Sequence, residues 1–247
     1  MRTFSNALAF AALLLSTPAF AQAAPAATKG GKPAAQPWLY EGSDVPVDDT
    51  WTFGVLPNGV RYAVKKNDVP AGQVSIRVRI DAGALHENND EQGFAHLIEH
   101  LSFRGSTFVP DGEAKRIWQR FGVTFGSDSN AQTTPTQTVY KLDLPNATPE
   151  KLDESVKIIS RMIRNPRISP TALNAERVIV LAELRENSGA QMIYSDALRQ
   201  HAFQGQRLAN RSTIGTPETL QASDAIRLSA FHDRWYRPEN AVVVLAG

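Results

Sequence analysis

The sequence has 247 residues, of which 42% are hydrophobic and 21% are charged, and its formal net charge is +1 at pH 7. Such a chain can bury the core of one large or two small domains, and without a strongly basic block we expect no nucleic-acid partner. It contains no cysteine, which excludes disulfides, thiolate metal sites and cysteine nucleophiles. Any metal site would have to combine some of the five histidines with Asp or Glu.

The first residues have the pattern of a secretory signal. Arg2 precedes an apolar run from Ala7 to Leu15, and Ala19-Phe20-Ala21 is a small-x-small cleavage pattern. The apolar run is too short to span a bilayer well, so we predict a signal peptide over residues 1–21 that is cleaved near Ala21. We therefore expect export, to a bacterial periplasm, and no stable membrane span in the mature protein.

The composition then changes twice. Residues 22–37 are mostly Ala, Pro, Gly, Lys and Gln, which cannot bury enough apolar surface to fold and predict a flexible linker. The folded domain is expected over residues 38–247. Within it, Asn58-Gly59 between two apolar runs predicts a hairpin over residues 51–65. Val74–Ile80 alternates strictly between apolar and polar residues, which predicts a half-buried strand.

Helical and strand patterns alternate along the rest of the chain. Thr148 and Ser169, each followed by Pro, are expected to cap two long helices, and Ser223 to cap a later one. Together these patterns predict an α+β fold in which long helices cover one face of a largely antiparallel sheet. The predicted elements are strands at 138–144 and 241–245, a helix after the loop of residues 81–90 that ends at Gly105, and helices at about 111–121, 149–164, 170–186, 192–203 and 224–236.

The stretch His96-Leu97-Ile98-Glu99-His100 carries the clearest chemical signal. On a helix the positions i, i+3 and i+4 share one face, so two imidazoles and one carboxylate converge. Two His nitrogens can bind one Zn²⁺, and a Glu beside them can accept a proton from an activated water. The alternative is a chance arrangement on an amphipathic helix, but the apolar flanks indicate burial, and buried His and Glu need partners.

A third protein ligand has to come from another segment. Glu176 and Glu183 are seven residues apart in the helix predicted after Pro170, so both can face one groove. The alternative is that these carboxylates and Glu186 are solvated charges that pair with neighbouring arginines. The apolar stretch of residues 178–181 indicates a mostly buried helix and favours a functional carboxylate.

Three motifs occur in an order that resembles the pitrilysin/insulysin family of inverted zinc metallopeptidases. They are residues 93–106 around His96, residues 126–131, and the segment from Glu176 to Glu183. The resemblance covers about residues 51–247, corresponds to the N-terminal catalytic domain, and includes Trp235-Tyr236-Arg237-Pro238-Glu239-Asn240 before the last strand. The family includes the mitochondrial processing peptidase, and its bacterial periplasmic members are the most similar.

The resemblance implies a role for each matched residue. His96 and His100 match the ligands of one zinc ion per chain, Glu99 the general base, Glu183 the distal ligand and Glu176 a supporting acidic residue. The interval between His100 and Glu183 is longer than in the best-known members, where the usual interval would point to Glu176. We still predict Glu183, because in the family the ligand is the second of two Glu spaced by seven.

The resemblance also implies how substrate binds. Asn130 and Ala131 match an edge strand that holds an extended peptide by main-chain hydrogen bonds. A polar turn is the alternative for this Ser- and Asp-rich segment. Pro135 departs from the family pattern and would remove one hydrogen-bond donor from the strand ladder.

The expected function is a zinc-dependent endopeptidase that acts on peptides or unfolded segments. Family members enclose substrate between this domain and further homologous domains, so a further domain or a partner chain is expected to close the chamber. The alternatives are a non-catalytic substrate-binding subunit of a two-chain peptidase and an inactive fragment. An accidental motif in a structural domain is a third, and the intact motif argues for catalysis.

Overall fold

The computed structural model describes Trp38 and residues 40–247, so the predicted signal peptide and linker lie outside the described residues. Six strands and seven α-helices occupy this part of the chain. The strands are β1 (Trp51–Val55), β2 (Arg61–Lys65), β3 (Val74–Ile80), β4 (Ser129–Thr133), β5 (Thr138–Leu144) and β6 (Ala241–Ala246). The helices are α1 (Phe94–Phe103), α2 (Glu113–Arg120), α3 (Pro149–Arg164), α4 (Pro170–Glu186), α5 (Ala190–Ala202), α6 (Pro217–Ala222) and α7 (Ala225–Trp235).

The six strands form one sheet in the order β1-β2-β6-β3-β5-β4. Four of the five neighbouring pairs are antiparallel and only β2 with β6 is parallel. The predicted α+β fold with a largely antiparallel sheet is confirmed. Among the residues that the structure describes, this order leaves β4 at a free edge, with no strand beside one side of its main chain.

The two faces of the sheet differ as the sequence alternation requires. On β3, Ile76, Val78 and Ile80 are buried, whereas Arg77 and Arg79 of the other set are only half-buried. The buried set lies under the helices, and α1 contacts β4, β5, α3, α4 and α7. We call the face that carries Arg77 and Arg79 the outer face. None of the helices in the described part combines the length and apolar character that a bilayer span needs.

Two of the three predicted capping residues start their helices. Thr148 and Ser169 accept hydrogen bonds from main-chain N–H groups of the first turns of α3 and α4, and Pro occupies the first helical position in both. The prediction that Ser223 caps α7 is wrong. Asp224 does so, because its carboxylate accepts two first-turn N–H groups while Ser223 ends the short helix α6.

The start of α1 is fixed by two less obvious residues. Gly93 has a φ of +93°, and a Cβ at this position would lie 2.8 Å from the main-chain oxygen of Ile214. The carboxylate of Glu87, which is fully buried, accepts hydrogen bonds from the main-chain N–H groups of Gly93 at 3.0 Å and Ala95 at 2.9 Å. These N–H groups belong to the first turn of α1 and have no partner within the helix.

We therefore expect Glu87→Ala to lower the free energy of unfolding by about 2–4 kcal/mol, because it leaves two buried N–H groups without an acceptor. Glu87→Gln should cost less, since its amide oxygen can still accept one of the two bonds. Urea unfolding followed by circular dichroism measures both. The matched control is Glu186→Ala on exposed α4 surface, and an equal effect at both positions would contradict the capping role.

Candidate metal centre

One turn of α1 presents three functional side chains on the same side. Leu97, Ile98 and Leu101 are fully buried in the core, which turns the opposite side, with His96, Glu99 and His100, toward α4 and β4. The rings of His96 and His100 lie edge to face, with centroids 4.7 Å apart. The spacing i, i+3, i+4 thus brings the two imidazoles and the carboxylate to one side of the helix, as predicted.

Glu183 on α4 faces the two histidines. Its Oε2 lies 3.7 Å from Nε2 of His96 and 3.6 Å from Nε2 of His100, and one ligand atom from each of the three residues lies within 4.8 Å of the other two. Three donors bound to one tetrahedral zinc ion lie roughly 3.4 Å apart. The donor set of two imidazole nitrogens and one carboxylate oxygen therefore fits zinc in both chemistry and spacing.

Glu176 occupies a different position from Glu183. Its Oε2 lies 3.0 Å from Nδ1 of His100, the ring nitrogen on the other side from Glu183, and its Oε1 accepts a bond from Nε of Arg104 at 2.5 Å. A carboxylate at Nδ1 orients the ring and leaves Nε2 free to act as a ligand. The structure thus places the two Glu residues on opposite nitrogens of His100.

The charges of these groups follow from burial and from their partners. Burial, helped by the charge of His100, lowers the pKa of His96 to about 4, so its imidazole is neutral near pH 7. Burial also opposes the charged form of His100, but the bond and charge of Glu176 raise its pKa above the usual value. Burial opposes ionisation of Glu176, yet hydrogen bonds from His100 and Arg104 hold its pKa below the usual value.

Glu99 lies beside the donor set with a partner of its own. The residue is 8% exposed, and its Oε2 accepts a hydrogen bond of 2.5 Å from Oγ1 of Thr133 on β4. Burial raises the pKa of Glu99, and the Thr133 hydroxyl partly offsets this by favouring the ionised form. Glu99 is thus a mostly buried carboxylate with a raised pKa that lies beside the donor set.

The free edge of β4 borders the same site. The main-chain N–H of Thr134 donates to the oxygen of Gln137 at 2.8 Å, and this pair continues the register of Thr133 opposite Thr138. Bonded and non-bonded pairs alternate in an antiparallel ladder. The main-chain groups of Ala131 and Thr133 therefore point away from β5, toward the free edge.

Asn130 and Pro135 complete this edge. The main chain of Asn130 faces β5, while its Oδ1 accepts the outward N–H of Ala131 at 2.9 Å and its Nδ2 donates to Gly126. The prediction that Pro135 removes a ladder donor is wrong, because Pro135 lies in the turn after β4 and outside the ladder. The Ser- and Asp-rich segment contains both predicted alternatives, because residues 126–128 form a turn and the strand with Asn130 and Ala131 begins at Ser129.

These elements enclose a groove of about 370 Å³. The sequence did not identify several of its residues, because they approach from distant segments without a local motif. Thr133 lies in a weak strand pattern, and Asn187 and Met192 follow α4. The groove is lined by His96, Glu99, His100, Asn130, Ala131, Gln132, Thr133, Glu183, Asn187, Met192, Thr213 and Ile214.

The order H-x-x-E-H is the motif of the inverted zinc metallopeptidases. Residues 62–216 match the model of the insulinase family, peptidase family M16. The chain belongs to this family, as its resemblance to the pitrilysin/insulysin peptidases predicted.

Individual relatives agree with this assignment. The chain is 32% identical over 209 residues to a probable zinc protease PqqL of Haemophilus influenzae, which covers 85% of this chain and 23% of the relative. It is 30% identical over 194 residues to the mitochondrial-processing peptidase subunit beta of Caenorhabditis elegans, covering 78% of this chain and 40% of the relative. The crystal structure of the periplasmic protease PqqL from Escherichia coli superposes with a TM-score of 0.79 at 30% identity, covering 82% of this chain and 22% of that one.

Proposed function

We propose that this chain forms the catalytic domain of an exported zinc endopeptidase that cleaves peptides or unfolded segments. The observation that carries the proposal is the convergence of His96, His100 and Glu183 with Glu99 beside them. The chain spans less than a quarter of the length of the PqqL relatives that it matches. The complete active site is therefore proposed to include a further domain or partner chain that closes over the groove.

His96, His100 and Glu183 would hold one zinc ion per chain. Zinc in this position would polarise the scissile carbonyl and lower the pKa of a water from about 15.7 toward about 7. Glu99 would take the proton from the attacking water and pass it to the leaving amine. Thr133 keeps the Glu99 carboxylate at the groove edge, and its hydroxyl limits the rise of the Glu99 pKa.

Glu176 is proposed as a positioning residue. By accepting the Nδ1 proton of His100 it fixes the tautomer whose Nε2 lone pair points to the metal position. Arg104 donates a hydrogen bond to the other oxygen of the same carboxylate, so the negative charge of Glu176 interacts with both His100 and Arg104. This arrangement supports Glu183, and not Glu176, as the third ligand.

Substrate is proposed to bind as an added strand on β4. The outward main-chain groups of Ala131 and Thr133 can pair with an extended peptide. The N–H of Ala131 would then exchange its local bond to Oδ1 of Asn130 for an intermolecular one. Such a peptide would run past Glu99, because the side chain of Thr133 on β4 contacts the Glu99 carboxylate directly. An extended main chain is available in peptides and unfolded segments and not in folded domains.

Export to the periplasm is proposed from two observations. Residues 1–21 have the pattern of a signal peptide, and the similar Escherichia coli protein PqqL is a periplasmic protease.

The proposed function predicts metal-dependent cleavage by the purified mature protein. The protein should cut a quenched fluorescent peptide. Treatment with a chelator, which is then removed, should abolish the cleavage, and one equivalent of Zn²⁺ should restore it. Full activity of chelated, zinc-free protein would contradict the proposal.

A further inference from the structure

The outer face of the sheet carries more positive than negative charge next to the free edge. The guanidinium of Arg77 lies 2.7 Å from the carboxylate of Asp143, and the ammonium of Lys141 lies 3.1 Å from the same carboxylate. The side chains of Arg77 and Lys141 are 33% and 37% exposed, whereas that of Asp143 is 15% exposed. One shielded carboxylate therefore faces two accessible cations.

A second group on the outer face also has two cations beside one carboxylate. Arg61 and Arg79 both contact Asp81, at 2.9 Å each. Asp128, the other carboxylate near the start of β4, accepts the N–H of Thr124 within its own loop. The hydrogen bond from Thr124 does not remove the negative charge of Asp128, so these side chains comprise four cations and three carboxylates, a surplus of one positive charge.

A recess of about 440 Å³ joins this surplus to β4. The strand register places Asn130, Lys141 and Arg77 side by side across β4, β5 and β3. Ala131 borders both this recess and the groove of the candidate metal centre. The recess is lined by Arg77, Asn130, Ala131, Gln132, Val139 and Lys141.

A peptide added to β4 would present its side chains alternately to the two faces of the sheet. Every second side chain would lie on the outer face, beside Asn130 and Gln132. The ammonium group of Lys141, one strand further in, is within reach of a long acidic side chain there, because neighbouring strands lie about 4.8 Å apart.

We propose that this recess is a specificity subsite that takes acidic side chains of the bound peptide, with Lys141 as the main contact and Arg77 behind it. The proposal rests on the proposed function, because it requires peptide on β4. It implies a preference for Asp or Glu with a period of two along the substrate, since only alternate side chains face the cations.

The test uses mature protein carrying Glu99→Gln, which is expected to bind peptide without cutting it. A peptide is scanned with Gln→Glu replacements, and affinity is measured by fluorescence anisotropy. We expect about a three- to fivefold gain in affinity at alternate positions and none between them, as for an exposed ion pair. Lys141→Gln should remove the gain and Lys141→Glu should reverse it. Lys157→Gln, a lysine on exposed α3 surface that pairs with Asp153, is the matched control and should keep it.

The outcomes separate this proposal from the proposed function. Peptides that bind without an acidic preference, or a preference that survives Lys141→Gln, would overturn the subsite and leave the peptidase assignment standing. A preserved alternating preference in a protein whose wild type cuts no peptide would overturn the peptidase assignment alone. Added salt should reduce the gain, because the contacting charges are exposed.

Discussion

Replacing Glu99 with Gln is expected to lower kcat for peptide cleavage by about 10²–10⁴-fold while zinc remains bound. Glutamine has nearly the same shape as glutamate, and its amide oxygen can keep the hydrogen bond from Thr133. It cannot accept the proton of the attacking water at any pH of the assay. The loss should therefore appear in kcat, with little change in KM or in the melting temperature.

Steady-state kinetics and elemental analysis on the same preparation measure both parts of this prediction. Glu186→Gln is the control, since it makes the same chemical change on the exposed surface at the end of α4. Activity of the Glu99→Gln protein within threefold of wild type would exclude Glu99 as the general base. Loss of zinc together with activity would instead assign Glu99 a ligand or structural role.

Replacing Glu183 with Gln is expected to weaken zinc binding by at least about 10²-fold and to abolish cleavage at limiting zinc. The change removes the one anionic donor from a set of two neutral imidazoles and a carboxylate. Glu176→Gln should cost only about 10–100-fold in zinc affinity, because His100 keeps its Nε2 and loses only the partner that orients it.

Competition against a chromophoric chelator gives the two zinc affinities directly. The Glu176 variant should recover full zinc occupancy when the metal is added in excess, and the Glu183 variant should not. A larger loss of zinc affinity for the Glu176 variant than for the Glu183 variant would make Glu176 the third ligand. The interval between His100 and the third ligand would then be the shorter one typical of the family's best-known members.

The parts of the site that are local in sequence could be predicted from the sequence. His96, Glu99 and His100 share one helix turn, so helix geometry alone brings them together. The spacing of Glu176 and Glu183 likewise puts both on one side of α4. Which of them faces Nε2 of His100 depends on how α4 packs against α1, and spacing along one helix carries no information about that packing.

The contact between Thr133 and Glu99 likewise could not be predicted from the sequence. It joins residues 34 positions apart and depends on the place of β4 in the sheet, which the polar sequence of β4 does not reveal. The capping of α1 by Glu87 is also invisible in the sequence, because the side chain reaches the helix from outside the usual capping positions.

The errors at the fold level have simple causes. Ser223 and Asp224 are both good capping residues, and only the path of the chain decides between them. Helix α6 has six residues, too few for a helical pattern of apolar residues to be recognised. Its Thr216-Pro217 start nevertheless repeats the signal that identified α3 and α4, so this helix could have been found.

The most direct test of the central claim is the zinc content of the purified mature protein, measured by elemental analysis beside His96→Ala. We predict about one zinc per chain in the wild type and none above background in the variant, because two remaining donors do not hold the metal through purification. Wild-type protein without zinc, after purification free of chelators, would contradict the claim that His96, His100 and Glu183 form a metal centre.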